Sequence, residues 1–262
     1  LHGDLNAGET PLDRPLYVRP IMFAPANGRE RTDGNRLLID TIYRAVVEMK
    51  GSEGEEATAP TVFLINLSIG DVRRPFTRMV SPLARLLDYL SETYGVLFLV
   101  SGGNVTNPLE VRGFANWTAF EQAPPERRER AMLEALNAAK HERTILSPAE
   151  AMNTLTIGAQ HHDHLAGRGP GANAVDPFDD HELPNASSAL GLGYRRTIKP
   201  DIFLPGGREY VRMSGAGGGE ITVCFGAPQR LYGLDAAAPD SSGQGRLDKT
   251  ALSDGTSSAT AL

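Results

Sequence analysis

One cysteine cannot form an internal disulfide, so nothing in this 262-residue chain is stapled covalently within itself. Cys224 stands in the apolar run 221–225 and reads as a small core hydrophobe, which leaves the compartment open with a lean to the cytoplasm. Apolar runs long enough to cross a bilayer are missing. The start also lacks a basic segment followed by an apolar one, so neither a membrane partner nor a leader is expected. No Met opens the chain, which therefore reads as a piece of a longer protein. Positive charge is not in excess: 26 Lys and Arg against 32 Asp and Glu give −6, with the signs interspersed. That balance argues against nucleic acid as a partner, and Arg127, Arg128 and Arg130 read as a solvated helix face. A Gly-Lys-Ser/Thr phosphate loop is absent, Gly215 to Gly219 followed by Glu220 fails the dinucleotide fingerprint, and Pro25 to Gly28 offers only a generic turn. The Gly-x-Ser-x-Gly elbow is missing too, because Ala259 takes its last position.

What is present is enough apolar residue, 40%, for one large α/β domain or two small ones. Residues 1–15 read as irregular, and Leu16 to Ala24 as a strand bounded by prolines. From Asp33, a candidate N-cap, to Lys50, the residues Leu38, Ile42, Val46 and Met49 recur at helical spacing, with Gly51 beyond the end. Thr61 to Leu67 is a continuous apolar run, the pattern of a strand buried on both faces. Ser81 and Pro82 open a second helix that Gly95 ends, and Val96 to Val100 is another buried strand. A polar loop with Trp117 and a charged helix over 125–140 make residues 105–144 an expected insertion. Thr154 to Ala159 reads as a strand, 161–189 as loop, 210–213 with 220–225 as a hairpin, and 233–254 as a polar loop.

Strands alternating with helices on short connections predict an α/β fold: a parallel sheet with helices on both faces, in three layers. Ligands in such sheets sit beyond the carboxyl ends of the strands. Two small polar turns fall there, Ser68-Ile69-Gly70 and Ser101-Gly102-Gly103-Asn104. The stretch Gly255-Thr256-Ser257-Ser258-Ala259-Thr260-Ala261 has no bulk to bury and so does not read as a core element. It reads either as a Ser/Thr tail or as a serine at a helix start, where amide groups favour developing negative charge. Asn104 reads either as a turn residue or as a side-chain donor. His161, His162, Asp163 and His164 are adjacent in a loop, where side chains rarely converge on one ion, so they read as a solvated loop and no metal site is expected.

Taken in order, four segments resemble the subtilisin-like serine peptidases, the subtilases. They are Asn66-Leu67-Ser68-Ile69-Gly70, Val100-Ser101-Gly102-Gly103-Asn104, the segment from Ser147 to Ala159, and Lys199-Pro200-Asp201-Ile202 with Pro205-Gly206 followed by Gly255-Thr256-Ser257. The resemblance runs over roughly residues 16–262 and implies one incomplete peptidase domain. It implies Ser257 as nucleophile, Asn104 as oxyanion donor, Ser68, Ile69 and Gly70 as a strand pairing with substrate, and Ser101, Gly102 and Gly103 as the bed for its first side chain. A polypeptide is then the substrate, and no cofactor is needed, although subtilases often carry structural calcium. The family order of Asp, His and Ser finds only the last here. His2-Gly3 is followed by Asp4 where Thr is expected, so the Asp and His are expected upstream of Leu1. A catalytically inert scaffold of the same fold is the alternative.

Overall fold

The computed structural model describes residues 16–23, 31–163, 173–178, 182–217, 219–226, 234–237 and 250–262. The expectations for residues 1–15 with His2, for Pro25 to Gly28, and for His164 and Gly218 lie outside them. The elements run α1 (Leu38–Lys50), β1 (Leu64–Leu67), β2 (Asp71–Pro75), α2 (Pro82–Tyr94), β3 (Leu97–Ser101), β4 (Leu109–Arg112), α3 (Trp117–Glu121), α4 (Pro125–Ala138), β5 (Leu146–Ser147) and β6 (Thr154–Gln160). They continue with β7 (Gly191–Leu192), β8 (Ile198–Lys199), β9 (Ile202–Pro205), β10 (Val211–Gly217), β11 (Glu220–Phe225), β12 (Leu234–Ala237), β13 (Thr250–Ser253) and α5 (Thr256–Thr260). Among the described residues no helix is long and apolar enough to cross a membrane.

The frame is a parallel sheet in the order β1-β3-β6-β9. Its register pairs Leu67 with Val100, Val100 with Thr156 and Ile157 with Ile202. Side chains alternate across such strands, so Ile65, Leu67, Phe98 and Val100 share one face. They form a core with Ile42, Val46 and Met49 of α1 and Leu87 and Leu90 of α2. Leu99, Leu155, Ile157, Ala159 and Leu204 face the other way and meet Ala259 of α5. The protein is thus an α/β fold with helices on both faces of the sheet.

α2 begins and ends as its sequence dictates. The Ser81 Oγ accepts from Ala84 N–H at 3.1 Å, Pro82 occupies the first turn, and Gly95 closes the helix at φ 62°. α1 starts later than expected, at Leu38. Asp33 spends its carboxylate on the N–H of Asn35, two residues on, and so caps a turn rather than the helix. Residues 16–23 form no named strand and make a single bridge, Phe23 with Arg31. β1 is shorter than its apolar run and is not buried on both faces: Phe63 and Leu64 are exposed, and among the described residues only β3 pairs with it.

A second core lies outside the parallel sheet. β4 pairs with β11, and β11 with β10, in an antiparallel sheet. Trp117, expected in a polar loop, opens α3 and packs with Phe114, Phe120, Met132, Val111 and Ile221. The stretch expected as a polar loop before Gly255 contains the pair β12 and β13. Cys224 is free and half-buried.

Candidate active site

The carboxyl ends of β1 and β3 bring the two small polar turns to one edge, and α5 starts beside them. Gly255 holds φ 101°, a conformation that side chains resist. A Cβ there would also stand 2.7 Å from Asn104 Nδ2. The Gly255 N–H donates to Gly206 O at 2.7 Å. Gly206 lies so close to the sheet that a Cβ on it would be 2.4 Å from Ala159 Cβ. The two glycines thus lay the turn flat on β6. The residues that follow, Thr256, Ser258, Ala259 and Thr260, are buried, while Ser257 is exposed. The expectation that this stretch stays out of the core is overturned, because small size is what lets the helix approach the strands.

Hydroxyls and one carboxamide hold the turn. The Asn104 Oδ1 accepts from both the N–H and the hydroxyl of Thr256, each at 3.0 Å. The backbone N–H can only donate, so Oδ1 is fixed as the oxygen and Nδ2 as the donor. Among the described residues Nδ2 has no hydrogen-bond partner. Thr256 Oγ1 also lies 2.6 Å from the buried Ser101 Oγ, which accepts from Gly103 N–H at 3.3 Å. On the other side the Ser68 hydroxyl donates to Asn66 Oδ1 at 2.7 Å and approaches Ser257 O at 3.2 Å. Among the described residues Ser257 Oγ has only a long contact, 3.4 Å, to Ser68 O. Among the described residues no histidine hydrogen-bonds Ser257.

The two turns differ in what they leave open. Gly102 N–H donates to Ile157 O, Gly102 O accepts from Leu146 N–H, and Gly103 O accepts from Ala189 N–H. Gly102 and Gly103 are buried and their backbone is largely used, which makes this segment a wall. Gly70 is exposed, and among the described residues neither its N–H nor its C=O is bonded within the protein. Ser68 and Ile69 are half-buried beside it.

A buried charged network lies past the end of β6, where a solvated loop was expected. His161 is fully buried, with Nε2 2.7 Å from Asp176 Oδ1 and Nδ1 2.9 Å from Asn185 Oδ1. Asn185 donates its Nδ2 to Gly207 O, which turns Oδ1 to the ring. The Glu209 N–H donates to the same ring nitrogen at 3.3 Å. Asp163 is buried as well and pairs with Arg208 at 3.1 Å. Glu209 accepts from Ser187 N–H at 2.9 Å. Burial, reinforced by the charge of Asp254, pushes the Glu209 carboxyl up to about 7 against the opposing pull of the Ser187 bonds and His161. Burial lowers the Arg143 guanidinium, and Glu209 counters it. Adjacent loop histidines gave no local sign of this network, because its partners come from distant segments. Among the described residues no three His, Cys, Asp or Glu side chains are placed to share a metal ion.

The carboxyl edge of the parallel sheet thus carries an exposed serine at a helix start with the Asn104 carboxamide beside it. The model of the subtilase family matches residues 26–262, and the chain belongs to that family of serine peptidases. Among curated proteins no sequence matches the chain.

Proposed function

We propose that this chain carries the nucleophile, oxyanion site and substrate strand of a serine endopeptidase, with the general base and its carboxylate partner supplied from sequence before Leu1. The observation that carries the reading is the Asn104 carboxamide. Thr256 N–H holds its oxygen, so its Nδ2 is presented beside Gly255 at the turn that bears Ser257. Ser257 Oγ attacks the scissile carbonyl and its proton passes to the base. The oxyanion accepts from Asn104 Nδ2 and Ser257 N–H, at the start of α5. The base then gives that proton to the leaving amine, and water repeats the sequence on the acyl-enzyme. Gly70, whose backbone groups are unbonded among the described residues, and Ser68 O pair with the extended peptide as an added strand. Residues 105–144 serve as an insertion in a single domain. In support, β4 and α4 pack in the second core, away from the parallel sheet.

The test is fluorophosphonate labelling of the full-length parent protein, its Ser257→Ala variant and the 262-residue chain. Labelling of the intact protein alone is the expected result. An unlabelled full-length protein favours the inert scaffold, and strong labelling of the 262-residue chain places the base within it.

A further inference from the structure

The two small polar turns at the carboxyl edge of the sheet converge on one side chain. A Cβ built on Gly103 would stand 2.6 Å from Leu146 Cγ and 2.7 Å from its Cδ1. One built on Gly70 would meet Leu146 Cβ at 3.5 Å and Cδ1 at 3.7 Å, with Gly103 Cα at 3.6 Å. Leu146 therefore fills the space between the glycines at the depth of their own missing methyl groups. It is 4% exposed and belongs to a small cluster with Val105 and Ala189, apart from the two main cores. Its backbone is pinned on several sides. The N–H donates to Gly102 O at 3.0 Å, the C=O accepts from Ala149 N–H at 2.9 Å, and the residue pairs with Pro75 across the β2–β5 ladder. A side chain held this way does not swing aside at little cost.

We infer that Leu146 sets the depth of the first specificity pocket, and that the substrates are peptides with glycine, alanine or serine on the acyl side of the scissile bond. This rests on the peptidase reading above, in which the substrate's first side chain lies along Gly102 and Gly103. A methyl or hydroxymethyl group fits above Leu146, whereas a phenylalanine or leucine side chain collides with it. Closed-packed pockets discriminate by roughly 10- to 200-fold per added methylene.

The experiment measures kcat/KM of the full-length protein on matched peptide p-nitroanilides ending in Ala or Phe, with fluorophosphonate titration counting active sites. Wild type should favour Ala. Leu146→Ala should raise the Phe-to-Ala ratio by about 10- to 200-fold, and Leu146→Val by less. The ratio within one variant cancels the folded fraction, so a purely structural role for Leu146 would lower both substrates together and leave it unchanged. Wild type that labels yet prefers Phe overturns the inference and leaves the peptidase reading standing, as does a labelled variant with an unmoved ratio. A protein that never labels at Ser257 overturns both.

Discussion

Two networks meet behind the turn at Gly255, and they are built from opposite materials. Around Thr256 the partners are neutral: Asn104, Ser101 and the backbone. Past the end of β6 they are ionisable: His161, Asp163, Asp176, Arg208 and Glu209. Neutral hydrogen bonds contribute modestly and do not depend on pH, so the first network fixes geometry under all conditions in which the chain is folded. Buried charges are costly unless matched, so the second ties the segments 173–178, 182–188 and 206–210 together on terms that change with protonation. The proposed site sits on the insensitive network, and its support rests on the sensitive one.

Removing the donor that only the neutral network orients should have the largest effect. Asn104→Ala is expected to slow turnover of the full-length protein by about 100- to 1,000-fold, a magnitude known for subtilisin itself and carried over here, as read from kcat on a fixed substrate. Next comes the hub of the charged network. His161→Ala leaves Asp176 and Asn185 without their ring partner and opens a cavity, so urea titration should show a loss of about 3 kcal/mol. A loss near zero would mean the charges are not matched through His161.

The pH dependence sharpens the contrast further. The folded-state Glu209 carboxyl titrates near 7 and its unfolded counterpart near the ordinary carboxylate value of 4.5. The folded state therefore holds the extra proton between those values, and stability falls as pH rises through that window, by on the order of 3 kcal/mol. Glu209→Gln removes this dependence: its melting temperature relative to wild type should climb from pH 4.5 to 7.5, and a flat difference would reject the assignment. The smallest effect belongs to Ser101→Ala, which deletes the neutral bond to Thr256 and the long one from Gly103 N–H and should cost about 1 kcal/mol at every pH.

The legible parts were those whose signal is local. Ser81, Pro82 and Gly95 bound α2 within a few residues of where they act, and β3, β6 and the hairpin of β10 with β11 carry their own apolar pattern. The turns at Ser68 to Gly70 and Ser101 to Asn104 end apolar runs, so their place at one edge of the sheet was legible from sequence order. β1 misled because an apolar run does not reveal how many neighbours a strand has. The burial of Thr256, Ser258, Ala259 and Thr260 was hidden for a related reason: a helix of small residues looks like a tail until the strand it lies on is known. His161 could not be read at all, since its partners stand 15 to 48 residues away. Leu146 looked like any leucine before Ser147 and Pro148, and only the convergence of Gly70 and Gly103 on it gives it a role.

The exposed position of Ser257 has a consequence for descent. Its neighbours Gly255, Thr256, Ser258, Ala259 and Thr260 are all buried or sterically confined, so drift at any of them unsettles the fold. Ser257 contributes little to folding through its hydroxyl, whose one hydrogen-bond contact among the described residues is the long one to Ser68 O. A lineage that no longer needed to cut peptides could lose that one oxygen and keep every other part of the architecture. On the proposed reading of Ser257 as nucleophile, the route from peptidase to inert scaffold is a single substitution wide.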